Sequence, residues 1–275
     1  MRLVKSVGAV VLRSCRPCVI LLLTTVNVPA AAAEKPPAAR TVCFDAFVNW
    51  DFHHRPKLRG CKATAQVIQR TLDAWRLQDR GHLVVENGTP DALRLFFSAL
   101  PGDENCDINL VYLASHQSPR GQWDFTQKKL LPLNVLLAEA KIPVHSQRIV
   151  LLDTCFAAAM QGQQPWRENL TPTSLFASTA SEETPEVNFH TPQPVDFAHR
   201  YPSAFAWLKE CLGKKWDGKI SFLGFVWVQT FLSVKDPPSE MRDWIDFLQK
   251  CQSTAREFRD KVSKKASSEI ILSID

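Results

Sequence analysis

From residue 41 onward the chain alternates between two hydrophobic periods. Short apolar runs at 41–50, 82–86, 107–116, 148–155 and 174–178 predict strands. Those at 107–116 and 148–155 are almost unbroken, as in parallel strands buried on both faces. Between them apolar residues recur at helical spacing. Ala65, Ile68, Leu72 and Trp75 mark an amphipathic helix over 61–77. Thr89, Pro90 and Asp91 supply a hydroxyl cap, a first-turn proline and an acid near the positive end of a helix running to about Leu100. Further helices are expected near 131–140, at 204–212 and at 241–265. Residues 220–228 read as either a strand or a buried helix. Asn87-Gly88, 101–103 and Asp217-Gly218 are turns. Residues 53–56, 117–126 and 179–202 read as loops, and the length of the last implies a substrate-facing or lid role. Strands and helices alternate throughout, so the expected class is α/β, a three-layer αβα sandwich around a mostly parallel central sheet.

The first 33 residues follow a different rule. Arg2, Lys5, Arg13 and Arg16 occur without an acid, residues 18–28 are apolar but too short to span a bilayer, and Ala30–Ala33 offer small residues for cleavage. This is read as a signal peptide (1–33) ahead of a single domain (34–275). The expected localisation is exported, periplasmic or secreted, with no membrane attachment once the leader is removed. The remaining length and 45% hydrophobic content suffice for one substantial core. Removing four leader cations takes the formal net charge of +5 to +1, so charge gives no case for nucleic-acid binding. Cys43, Cys61, Cys106, Cys155, Cys211 and Cys251 remain of the eight cysteines. Export permits disulfides, and Cys43–Cys106 and Cys211–Cys251 are conceivable pairs; buried thiols are equally compatible with the spacing.

The chemistry concentrates at two strand ends. The run Arg148-Ile-Val-Leu-Leu-Asp-Thr-Cys155 delivers a thiol to the carboxyl edge of the sheet, ahead of the small, helix-forming residues 156–160. Open α/β folds place reactive groups at that edge. The run ending in Ser115-His116 is built the same way. Were the two strands neighbours, Cys155 and His116 would be a nucleophile and its base. The plain alternatives are a buried structural thiol and an ordinary histidine at a loop mouth. Asp153 shares a strand face with Cys155 and is a candidate for a pocket accepting Arg or Lys, or else an acid satisfied locally by Thr154 or a helix end. Arg55 argues for an acidic substrate residue instead, or simply neutralises Asp153. Asp51, His53 and His54 lack a further ligand at metal-site spacing, so no metal or other cofactor is expected. Trp123 and Asp124 border the cleft or pack in the loop. No Gly-x-Ser-x-Gly elbow supports a serine esterase.

In order and spacing the chain resembles the caspase-like cysteine peptidases, the group of caspases, metacaspases and legumains, over about 41–232. The resemblance is carried by Leu58-Arg-Gly-Cys-Lys-Ala, Glu86-Asn-Gly-Thr-Pro, the histidine and cysteine strands, Phe176-Ala-Ser-Thr-Ala-Ser-Glu182, Ser203-Ala-Phe-Ala-Trp-Leu and Asp217-Gly-Lys-Ile-Ser221. It implies a caspase-like sandwich, His116 and Cys155 as catalytic pair, backbone N–H groups of Gln117 and Cys155 as oxyanion donors, and Ser178 as a substrate contact beside Asp153 and Arg55. In metacaspase-like relatives an aspartate at the Asp153 position receives a basic side chain. The implied activity is an exported endopeptidase acting on peptides or proteins, with cleavage after Arg or Lys. Two positions depart from the family pattern: Gln117 stands where glycine usually follows the histidine, and Ala157-Ala158 where a glycine usually follows the cysteine. These departures open a second reading, a catalytically silent domain that binds peptides or partner proteins.

Overall fold

The computed structural model describes residues 41–77, 83–157, 175–180, 186–190, 196–262 and 268–273. Residues 1–33, expected as a leader, lie outside them. The central sheet has six strands: β1 (Val42–Val48), β2 (Val84–Glu86), β3 (Ile108–Ala114), β6 (Arg148–Asp153), β7 (Leu175–Ala180) and β10 (Ser268–Ser273). Their order is β10-β7-β6-β3-β1-β2. The first five in chain order pair in parallel, and β10 closes one edge antiparallel to β7.

Every residue of β1, β3 and β6 is buried, which is why these strands read as continuous apolar runs. Alternate positions serve different layers. Phe44, Ala46, Leu110, Tyr112, Ile149 and Leu151 face the layer holding α1 (Arg59–Ala74), α6 (Phe222–Ser233) and α7 (Met241–Val262). Phe47, Val111, Leu113, Val150 and Leu152 face α2 (Pro90–Ser98) and α3 (Leu133–Glu139). The αβα sandwich expected from the alternating periods is therefore present. Thr89 caps α2 by accepting from Ala92 N, as its hydroxyl predicts.

Several elements differ from the sequence reading. Residues 117–126 are not a plain loop: β4 (Gln122–Phe125) pairs antiparallel with β5 (Lys129–Pro132) in a hairpin on the edge of the fold. The 179–202 segment carries β8 (Glu186–Asn188) and the short helix α4 (Phe197–Arg200), followed by α5 (Pro202–Leu212). The ambiguous run near 220 divides into β9 (Lys219–Ser221), paired with β8, and the buried helix α6. Seven successive α6 positions from Phe222 to Val228 are buried, so no polar face exists to reveal the helical period. Gly224 lets α6 approach α1, since a Cβ there would fall 2.2 Å from Thr64 Oγ1. β10 had no counterpart in the reading of the sequence.

Opposite the carboxyl edge, Arg148 is fully buried at the start of β6. It donates to Asn109 Oδ1 (2.7 Å), Pro143 O (3.0 Å) and Pro101 O (2.9 Å), while Asn109 Nδ2 donates to Asp45 Oδ2 (2.7 Å). Burial lowers the guanidinium to about 10. No disulfide joins the six described cysteines. Cys43 and Cys106 do sit together, and Cys106 Sγ lies 3.6 Å from His145 Nε2.

Candidate active site

β3 and β6 are neighbours, paired up to Ala114 opposite Asp153. The pairing ends there; continued by two positions, the same register would set His116 opposite Cys155, and hydrogen bonds flank those positions. Thr154 Oγ1 donates to Ser115 O (2.7 Å), and Gln117 Nε2 donates to Phe156 O (3.1 Å). Neighbouring strands run about 4.8 Å apart. Within the strands, Tyr112 and Ala114 of β3 and Ile149 and Leu151 of β6 lie on the α1 side, and each strand end leads within two residues to His116 or Cys155. Both are half-buried at the carboxyl edge of the sheet.

The loop after β1 organises the imidazole. Asn87, with φ of 53°, accepts from Trp50 N (3.0 Å) and Asp51 N (2.8 Å) through Oδ1 and so starts that loop. Phe52 packs on the His116 ring with centroids 4.7 Å apart. Pro56 O lies 2.8 Å from His116 Nε2. A carbonyl oxygen only accepts, so Nε2 carries the proton and Nδ1 is the basic nitrogen. Burial lowers the His116 pKa and Arg55 and His54 add to that; the Pro56 bond and the Asp124 carboxylate oppose it without reversing it. The ring is thus held as a neutral base.

Arg55 and His54 converge on Asp124, a carboxylate only 2% exposed on β4. Arg55 Nε is 2.6 Å and His54 Nε2 3.1 Å from it. Asp124 N in turn donates to His116 O (2.9 Å), and Ser115 Oγ donates to Asp124 O (2.6 Å). One acid therefore ties the loop bearing Pro56 to the strand bearing His116. Arg55, expected as a substrate contact, is engaged in this clamp. The hairpin that supplies Asp124 was the element missed in sequence; the polar pattern Gln122–Asp124 within an otherwise loop-like stretch was its only trace.

Gln117 does not strain the backbone. Among the described non-glycine residues positive φ occurs at Arg76, Asn87, Lys128 and Phe156, not at Gln117. The glycine that its place usually holds is therefore not needed here for conformational freedom. Gln117 bridges Trp123 on the hairpin, flanked by the bonds Ser118 N to Gln122 O and Asp124 N to His116 O. In that kind of pair the central residue's own N–H points away from the partner strand, here toward the β6 side. Cys155, Phe156 and Ala157 form a turn, with Phe156 at φ 57°. The helix expected to begin there lies outside the described residues.

Asp153 differs from expectation. It is 2% exposed and accepts from Tyr112 OH (2.6 Å) and from Ser221 Oγ, the hydroxyl that also caps α6. Its carboxylate links β6 to β3 and α6 beneath the edge. Ser178 lies on β7, its backbone opposite Leu152. Beside Pro56 is a groove of about 340 Å³ lined by Trp50, Lys57, Arg59, Lys62, Lys215 and Asp217 among others. Its cations are partly met by Asp51, Asp217 and Glu86.

No family model matches the chain, and no curated protein does. Solved structures do. One, titled structure of pro-sf-caspase-1, is 11% identical and superposes with a TM-score of 0.49, covering 86% of this chain and 91% of that one. At such identity the likeness adds nothing about chemistry, which rests on the side chains described above.

Proposed function

We propose that the protein is an exported caspase-like cysteine endopeptidase in which Cys155 and His116 form the catalytic pair. His116 Nδ1 takes the thiol proton, and the thiolate attacks the carbonyl carbon of a peptide bond. The oxyanion is received by the N–H groups of Gln117 and Cys155. The imidazolium then protonates the leaving amine, giving an acyl-enzyme, and His116 activates the water that releases it. The observation that carries this reading is the Pro56 carbonyl on His116 Nε2, which leaves the basic nitrogen on the ring at the strand end opposite Cys155.

Of the two departures that open the silent-domain reading, the one at Gln117 involves an ordinary backbone conformation, which supports the enzyme reading; the one at Ala157-Ala158 stands. Cleavage after Arg or Lys is the least supported part of the proposal. Tyr112 and Ser221 already donate to Asp153 Oδ2, so a basic side chain would compete with them there, and the groove next to Pro56 presents cations. Ser178 is kept as a proposed substrate contact on its place in β7.

A thiol-reactive peptide ketone tests the reading. The purified protein is expected to be labelled at Cys155, and Cys155→Ala to abolish labelling. An unlabelled parent, or a labelled alanine variant, refutes the enzyme and leaves a peptide- or protein-binding domain. A peptide panel with Arg, Lys, Asp or Asn before the scissile bond then decides specificity: preference for Asp or Asn sinks the basic lean alone.

A further inference from the structure

Gln117 and Phe156 lie 39 residues apart and meet in one hydrogen bond. A bulky residue in the left-handed region is costly and persists only where its surroundings enforce it. Phe156, at φ 57°, is such a residue, and it directly follows Cys155. The enforcing group is visible. Trp123 is fully buried, and its indole N–H donates to Gln117 Oε1 (2.9 Å). An indole N–H only donates, so the amide oxygen must face Trp123 and the amide nitrogen must face Phe156 O. Gln117, 4% exposed, thus has both ends of its side chain committed between the hairpin core and the turn after β6. On the other side of Cys155, Thr154 is tied to Ser115 O.

We propose that the Gln117 side chain is a positioning residue for Cys155: by anchoring Phe156 O it holds the left-handed turn that sets the thiol and the Cys155 N–H at the His116 strand end. The inference rests on the peptidase reading above. Glycine in the family position after the histidine has no side chain to offer this contact. Here the amide compensates for a strained non-glycine residue after the cysteine. Without the anchor Phe156 relaxes out of the left-handed region and carries the thiol off its register with His116. With glycine at 156 the turn has no such strain, and the anchor becomes superfluous.

The test is a double-mutant cycle of Gln117→Met and Phe156→Gly, read by the rate at which iodoacetamide alkylates Cys155 across pH, resolved to that peptide by mass spectrometry. Gln117→Met is expected to slow the reaction by roughly tenfold in the parent background, the order set by one strained residue. It should change the rate by less than about twofold when residue 156 is glycine. A merely structural Gln117 would give the same loss in both backgrounds. An unchanged Gln117→Met rate, or a loss that glycine does not remove, overturns the proposal. Should Gln117→Met lose its near-ultraviolet tryptophan signal, Gln117→Glu carries the same cycle, because it keeps an acceptor for Trp123 and sets a carboxylate against Phe156 O. If His116→Ala alkylates as fast as the parent, the catalytic pair itself is refuted and the inference falls with it. A His116-dependent parent with an indifferent Gln117 refutes the inference alone.

Discussion

Removing the Asp124 carboxylate should release the loop that holds His116 while leaving the sheet intact. The magnitude follows from the two partners. Arg55 is 43% exposed, so its pair with Asp124 contributes about 1 kcal/mol at most. The hydrogen bond from the less exposed His54 adds about 1 kcal/mol, a net value after desolvation. Asp124→Ala therefore weakens the clamp by about 2 kcal/mol, roughly a 30-fold fall in the closed-to-open equilibrium constant of the 52–56 loop. Pro56 O then no longer holds His116 Nε2, and the ring loses its orientation. The backbone bond from residue 124 N to His116 O survives, so the hairpin stays docked. The assay is alkylation of Cys155 by iodoacetamide, paired with thermal unfolding. A rate decrease of up to about 30-fold and a Tm decrease of about 4–8 °C are expected. Asp124→Asn, which keeps an acceptor for Arg55, should fall between the variant and the parent. An alkylation rate matching the parent's despite a lowered Tm would show that the clamp stabilises the fold without orienting His116.

Two further outcomes follow from buried charge. Burial lowers the His116 pKa below its ordinary 6.5, so the acid limb of Cys155 alkylation should lie below pH 6.5 and move upward in Phe52→Ala, which uncovers the ring; a limb at or above 6.5 in the parent contradicts this. The same shift has a stability consequence: below pH 6.5 the unfolded chain takes up a proton that folded His116 resists, so this contribution is present above 6.5 and is lost as pH falls through the folded value. Arg148→Met should cost about 3–5 kcal/mol in urea unfolding, because it leaves buried Asn109 Oδ1 and the part-buried carbonyls of Pro101 and Pro143 unmet and Asp45 without its nearby cation. Since Arg148 lies at the opposite edge, alkylation of Cys155 in the folded variant should match the parent; a loss under 1 kcal/mol would show the network is dispensable.

The legibility of this chain divided along physical lines. β3 and β6 announced themselves because burial on both faces leaves only apolar residues, and that pattern is local. The α2 cap at Thr89 was readable for the same reason, since it involves residues three apart. The β4–β5 hairpin was not, because Gln122–Phe125 alternates over only four residues and its polar Asp124 is buried by partners in another loop. Buried α6 hid its period in uniform apolarity. Asp153 looked free to line a pocket, and what engages it, Tyr112 OH and Ser221 Oγ, comes from 41 and 68 residues away.

Composition and period by themselves determined the class of fold, the identity of its central strands, and that a thiol and an imidazole each sit where a buried strand runs out. Those properties depend on each segment's own residues. Only the folded chain decided that β3 lies beside β6, paired up to Ala114 opposite Asp153, so that the segments leading to His116 and Cys155 leave the sheet as neighbours. The roles of Pro56, Asp124 and Gln117 around that pair were decided there too. Each is a contact across tens of residues, made by a carbonyl, a carboxylate or an amide whose partner no local pattern encodes. Strand order and side-chain hydrogen bonds are set by packing the whole sheet at once, and the chemistry of this edge is specified at that level.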